Sequence, residues 1–412
     1  PVAPIEAVRN IRRFEDEGME GIYGLYEAID YTPARLKKDE KFSIVRSFMA
    51  HHQGMSFIAL DNFFHNNIMQ KRFHLNPVIR SAELLLQEKI PSKITFTKEH
   101  KLAALHKVER EWEEENVVRL YREPNAELPN VHVISNGSYS VMVTDGGLGY
   151  SKNHDMAVSR WSRDIRGKKS GIFIFVQNLN SNNVWSASYE PFLARPDFYR
   201  VIFSPDKADF VRKDGSLETH MQITVSPEDN AEIRKVSITN LGNNTREVEV
   251  TSYFEVILTN PDADIAHPTF SNLFIRTEYI KDMDSIIASR RPRMHGQDVI
   301  WAVHTMALEG EAISETQYET DRSKFLGRNR DITNPLALDP GQPLSNSEGA
   351  VLDPVMSLRR RFIIEPGKTV KVCYTVATAE NRNRALEIAD KYHEMKASAR
   401  AFELAWTRSQ IE

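Results

Sequence analysis

Asn136-Gly-Ser-Tyr-Ser-Val-Met-Val-Thr-Asp-Gly-Gly-Leu-Gly-Tyr-Ser-Lys-Asn-His-Asp-Met-Ala-Val-Ser-Arg-Trp161 reads as a strand, a turn and a second extended segment. Residues 139–144 are rich in Val, Thr and Tyr, which suit a pleated, half-buried surface. Residues 145–149 supply three glycines, which accept positive φ and let other backbone come close. Beyond the turn stand Tyr150, His154, Asp155, Arg160 and Trp161, more polar and aromatic groups than a plain hairpin needs. That excess points to a surface that handles something planar and hydroxylated, such as a sugar.

The extended pattern continues on both sides of this hairpin. Strand candidates recur without intervening helices at 131–134, 171–177, 184–189, 199–204, 209–211, 217–225, 231–239, 246–257, 272–279, 285–289, 299–308, 358–364 and 368–377. Several alternate cleanly, as in Thr219, Met221, Ile223 and Val225, the period of a strand with one face in a core. Asp214-Gly215, Asn240-Leu-Gly-Asn243 and Glu365-Pro-Gly367 divide them with turn residues. So many consecutive antiparallel strands predict a large two-sheet sandwich. The polar stretch 315–348, with Lys324-Phe-Leu-Gly-Arg-Asn-Arg330, interrupts the series. A loop of that length is functional or simply solvated; its basic residues suit a sugar hydroxyl, a phosphate or water. Residues 381–412 carry an apolar helical stripe that needs a partner surface, with little N-cap signal before it.

Upstream the period is that of helices, at 4–17, 42–66 and 77–88. Three helices are too few to close a stable domain, and they read as the end of a helical array. Between the first two lies an aromatic loop with Glu27 and Asp30, three residues apart and able to share a face in a helical turn. Paired carboxylates beside tyrosines serve glycoside chemistry, and equally serve as solvated or capping groups. The second helix holds Met49-Ala-His-His-Gln-Gly-Met55. Adjacent histidines point about 100° apart on a helix, so His51 and His52 cannot chelate one metal. Either they line a polar pocket with Gln53, or one is a core histidine and the other a surface one.

Composition narrows the classes. With 412 residues the chain exceeds one ordinary core, and 41% hydrophobic with 27% charged residues marks a globular protein. A formal charge of −4 offers no field for nucleic acid. The single cysteine, Cys373, excludes an intramolecular disulfide framework. It fits a reducing compartment, and a cysteine-poor periplasmic protein would look the same. No apolar run approaches the roughly 20 residues that span a bilayer, and no signal-peptide order opens the chain. The expectation is a soluble segment, and its start at Pro1 and end in a helical pattern suggest a piece of something longer.

Two sets of words carry a resemblance. Tyr23-Gly-Leu-Tyr-Glu-Ala-Ile-Asp-Tyr-Thr-Pro33, Met49-Ala-His-His-Gln-Gly-Met-Ser56, Arg72-Phe-His74 and Ala82-Glu-Leu-Leu-Leu-Gln-Glu88 resemble the end of the glucoamylase-like helical barrel of bacterial cyclic β-1,2-glucan synthases. The stretch Ser135–Thr144, Ser159-Arg-Trp161, Ala266-His-Pro-Thr-Phe-Ser-Asn-Leu-Phe274, Glu319-Thr-Asp-Arg322 and Phe325-Leu-Gly-Arg328 resemble the N-terminal sandwich of the cellobiose and chitobiose phosphorylases. Cyclic β-1,2-glucan synthases carry the two modules in this order. The resemblance implies an α+β, mainly β fold: an antiparallel β-supersandwich preceded by an α/α-barrel remnant and followed by a linker helix. The implied divisions are 1–95 barrel end, 96–130 connector, 131–379 sandwich and 380–412 linker.

The resemblance further implies glucosyl transfer or phosphorolysis in the parent protein, with catalytic residues outside this chain. Tyr150, Arg160, Trp161, Arg163 and Asp164 would contact sugar from the sandwich, with Glu27, Asp30, His51, His52 and Gln53 lining the barrel pocket. For the sandwich group the alternative is a structural Arg163–Asp164 pair and a core Trp161. No metal or cofactor is expected in this segment, while the parent would use UDP-glucose and inorganic phosphate. Expected partners are a β-1,2-glucan oligosaccharide and neighbouring domains, with a homodimer left open. The parent would sit in the bacterial inner membrane, with this segment on the cytoplasmic side. Two other functions stay open: a structural or dimerising module without a ligand, and part of a stand-alone β-glucoside phosphorylase.

Overall fold

The structure of the chain, a computed structural model, describes residues 3–33, 36, 40–82, 118–123, 128–162, 169–292 and 299–410. It divides into two compact units, the first within Pro1–Glu111 and the second comprising Trp112–Arg293 and Gln297–Glu412.

The first unit opens with helix Pro4–Asp16, whose proline takes a first-turn position where no N–H is needed. Two small antiparallel ladders follow, Glu20–Gly21 with Gly24–Leu25 and Ala28–Asp30 with Ser43–Val45. The expected helix over 42–66 therefore starts late. Its β-branched beginning, Ile44 and Val45, pairs with Ala28 and Ile29 as a strand, and the helix runs only Ala50–Phe64. The chain then breaks at Asn66 and Asn67, both at positive φ, and a further helix, Ile68–His74, was not anticipated. Of the expected helix 77–88, Pro77–Ala82 is helical and the remainder lies outside the described residues.

The second unit is a sandwich of two nine-stranded sheets in which every strand pair is antiparallel. One sheet runs Asn183–Ser186, Phe173–Asn178, Arg246–Thr259, Met156–Ser159, Gly149–Asn153, Tyr139–Thr144, Val131–Ser135, with Pro354–Ile364 and Gln317–Asp321 joining at the other side of Arg246–Thr259. The other runs Ile275–Ile280, Ser285–Arg290, Trp301–Glu309, Thr369–Ala379, Ala231–Asn240, Leu217–Val225, Lys207–Asp214, Phe198–Ser204, Arg119–Tyr121. Alternation supplies the core between them: Val141 and Val143 from one sheet, Met221, Ile223, Val236 and Ile238 from the other, all fully or almost fully buried. The strand expected from 272 begins at Ile275, because Pro268–Asn272 forms a short helix first.

Both outer faces are partly covered, which explains strands that are buried on two sides. All six residues of Phe173–Asn178 are buried. Phe325, Leu326 and Leu338 pack on Phe173, Phe175 and Tyr253, so the polar stretch 315–348 is an ordered cover rather than a free loop. It contains the edge strand Gln317–Asp321 and the helix Arg322–Leu326. Arg359, only 2% exposed, holds it down by donating to the carbonyls of Gln342 (2.8 Å) and Ala337. On the opposite sheet the terminal segment is two helices, Arg382–Tyr392 and Met395–Ser409. They bury Ala385, Ile388 and Tyr392 against Ile233, Val303 and Ala377. The cap that the sequence seemed to lack is Asn381, whose side chain accepts from Arg384 N at 2.8 Å. Among the described residues no helix is long and apolar enough to cross a membrane.

Candidate functional site

The opening hairpin positions the first group of candidates. Gly147 sits at φ +96 and a Cβ there would fall 2.2 Å from Ser188 Oγ, so the turn that joins Tyr139–Thr144 to Gly149–Asn153 requires glycine. The second strand then presents Tyr150, whose ring meets Trp161 edge-on at 5.6 Å. Trp161 is half-buried and leans on the cluster around Phe325. Arg163 and Asp164 lie outside the described residues.

Arg160 follows strand Met156–Ser159 and enters a cleft of about 560 Å³. Three residues accept hydrogen bonds from its guanidinium. Nε and one Nη donate to Asp264 at 3.0 Å each, the other Nη donates to Glu255 at 2.7 Å, and Asn272 Oδ1 accepts at 2.6 Å. Arg322 mirrors it, donating to Glu255 at 2.8 Å and to Asp353 at 3.2 Å. Asn272 closes the ring by donating to Asp353 Oδ1 at 2.6 Å. Burial opposes the charge on both arginines, yet Glu255, with Asp264 or Asp353, holds their pKa above the ordinary value. The reverse holds for Asp353: burial, then the neighbouring Glu255 carboxylate, push its carboxyl upward. Tyr253 lies at the base, its hydroxyl 3.5 Å from Glu255.

Local sequence builds each part of this ring. Asn260 caps helix Pro261–Ala266 and so presents Asp264; Asp321 caps Arg322–Leu326 and so presents Arg322. Glu255 belongs to the long strand Arg246–Thr259, and Asp353 directly precedes Pro354–Ile364. Apart from Arg160, none of these was singled out from sequence as a sugar contact. Arg322 and Asn272 stood inside the words that carried the resemblance, which was the one available signal.

The first unit holds a separate cleft of about 510 Å³. Glu27, His52 and Gln53 line it together with Tyr26, Tyr31 and Ser56, over a floor that includes Phe14 and Met19. His52 Nδ1 hydrogen-bonds the Glu27 carboxylate. Asp30 does not line this cleft, and its Oδ1 accepts from Thr32 N at 2.9 Å. Because Ala28–Asp30 is a strand, Glu27 and Asp30 do not share a helical face. His51 stacks obliquely on His52 at 4.0 Å but is not a lining residue. Among the described residues no group of His, Cys, Asp and Glu is arranged to hold a metal ion.

The sandwich with its arginine- and carboxylate-lined cleft belongs to a known class: residues 114–395 match the model of the glycosyl hydrolase 94 supersandwich domain, and the chain is a member of that family. One particular relative, the cyclic β-(1,2)-glucan synthase NdvB of Rhizobium meliloti (strain 1021), is 37% identical over 99% of this chain and 14% of that protein. The N,N'-diacetylchitobiose phosphorylase of Vibrio proteolyticus is 21% identical over 64% of this chain and 32% of its own length. The chain thus spans a minor part of the curated relatives it matches. Among solved structures, a bacterial glucoamylase complexed with acarbose aligns with 71% of this chain and 40% of its own at a TM-score of 0.40 and 10% identity.

Proposed function

We propose that this chain is a segment of a cyclic β-1,2-glucan synthase, formed by the end of the cyclising helical barrel and the phosphorylase-type supersandwich with its linker helices. Its own part is to contact the glucan and support a site completed elsewhere in the parent, which performs glucosyl transfer or phosphorolysis with UDP-glucose and phosphate. Alone it is catalytically silent. The parent is bound to the bacterial inner membrane with this segment on the cytoplasmic side. The observation that carries the reading is the 37% identity to the glucan synthase running through 99% of the chain, helical unit and sandwich alike.

Calorimetric titration of β-1,2-glucan into the chain tests it. Measurable binding, weakened by Trp161→Ala, is expected, together with no phosphate-dependent release of glucose 1-phosphate. One observation favours a second reading, a structural module without a ligand: four of the five N–H donors of Arg160 are matched by Asp264, Glu255 and Asn272. Absence of any glucan heat would select that second reading.

A further inference from the structure

Among the described residues, His132 is the histidine that accepts a hydrogen bond from a guanidinium. Its Nε2 lies 2.8 Å from the carbonyl of Ser204, which can only accept, so that nitrogen carries the proton and donates. Nδ1 is therefore the bare nitrogen, and it accepts from an Nη of Arg119 at 3.0 Å. His52, His65 and His220 hydrogen-bond carboxylates instead, and protonation strengthens such pairs. At His132 the effect reverses: a proton on Nδ1 removes the acceptor and sets imidazolium against guanidinium. The ring has little room to turn away, being 9% exposed and stacked on Phe203 at 4.8 Å.

What Arg119 holds in place is a weakly supported strand. Arg119–Tyr121 is three residues long, lies at the outer edge of its sheet and pairs on one side, with Val201, Ile202 and Phe203. The Arg119 side chain ties it across to the other sheet, through His132 and through the carbonyl of Val131 at 3.2 Å. Tyr121 adds an edge-on ring contact with Phe203 at 5.4 Å. Apart from Arg119, the groups acting on the His132 charge come from the turn after Phe198–Ser204, where Asp206 and the backbone of Lys207 favour the proton. The residue opposite on Tyr139–Thr144 is the uncharged Val143. Burial, joined by Arg119, outweighs these groups and the Ser204 carbonyl and lowers the pKa from 6.5. The neutral ring is thus the resting form near pH 7, and its contribution to the fold is lost as pH falls from 6.5.

We propose that His132 is an acid-released latch on the first described strand of the sandwich. Neutral, it engages Arg119 and keeps Arg119–Tyr121 on the sheet edge; protonated, it expels the guanidinium and frees the strand, opening that edge. The latch does not depend on whether the chain binds glucan. Amide hydrogen exchange of the full chain is compared at pH 7.5 and pH 5, corrected for intrinsic rates. Leu217–Val225, inside the same sheet, serves as the internal reference. Expected at pH 5 is a loss of protection of about tenfold in residues 119–121 relative to that reference, the scale of one hydrogen bond to a charged group. His132→Gln offers an acceptor and a donor that do not titrate, and should abolish this pH response. Arg119→Gln, at an exposed position, replaces the like charge with a neutral donor and should abolish it too. Thermal melts at both pH values verify the folding of each variant, and Arg119→Gln alone decides the matter if His132→Gln does not fold. Equal protection of 119–121 at the two pH values in the unmodified chain, or a pH response that a folded variant retains, overturns the latch.

Discussion

His304 lies fully buried between the two sheets, its Nε2 2.7 Å from Ser252 Oγ and its ring edge-on to Phe254. Burial lowers its pKa from 6.5 to about 3. The folded chain therefore binds fewer protons than the unfolded one between those values, and the stability tied to this group is complete above about pH 6.5 and lost as pH falls toward 3. The slope is about 1.4 kcal/mol per pH unit. Urea midpoints at pH 7 and pH 4.5 should differ less in His304→Gln than in the unmodified chain, and an equal difference would contradict this account. A second buried group is ionic. Glu232 and Arg234 pair at 3.0 Å, at 0% and 2% exposure, with Arg234 also donating to Ile172 O and Tyr139 donating to Glu232. Arg234→Met leaves that carboxylate buried and unpaired, at a cost of about 3–5 kcal/mol. Replacing both by Met and Leu should recover most of the loss in urea unfolding. Neither group was legible in the sequence, because a strand pattern shows which face a residue takes and not which distant polar group it meets there.

At the scale of elements, local chemistry was read well where it was complete within a few residues. Strand Tyr139–Thr144 and its glycine turn follow from β-branched alternation and the need for positive φ at Gly147. Gly147→Ala should destabilise by at least about 1–3 kcal/mol, since it combines backbone strain with a clash at Ser188; a thermal melt within experimental scatter of the parent would contradict that. The reading failed where partners were remote. Ile44 and Phe48 have helical spacing, yet Ser43–Val45 pairs with Ala28–Asp30. Likewise the polar stretch after residue 315 hid Phe325, Leu326 and Leu338, whose burial depends on Phe173 and Phe175 far upstream. The terminal helices are tied by the turn at Glu228 and Asp229. Tyr392 donates to Asp229 at 2.8 Å, and Arg384 and Lys391 pair with the same carboxylate. Asn381→Ala removes the cap of the first of these helices and should cost about 1 kcal/mol, measured as a lowered urea midpoint.

For the whole molecule, the two-sheet architecture was legible because so many strands alternate along the chain, and the family followed from words such as Glu319-Thr-Asp-Arg322. The cleft was legible only at Arg160. Glu255, Asp264, Arg322 and Asp353 come from separate elements that the sandwich brings together, so no spacing in the sequence announces them. The central claim is that this assembled cleft meets the glucan. Amide hydrogen exchange of the full chain with and without linear β-1,2-glucan oligosaccharides locates the contact directly. The account predicts slower exchange on glucan addition in Tyr253 to Glu255, in the short helix ending at Asn272 and around Arg322 and Asp353. Uniformly unchanged exchange, or protection confined to strands remote from these residues, would contradict it.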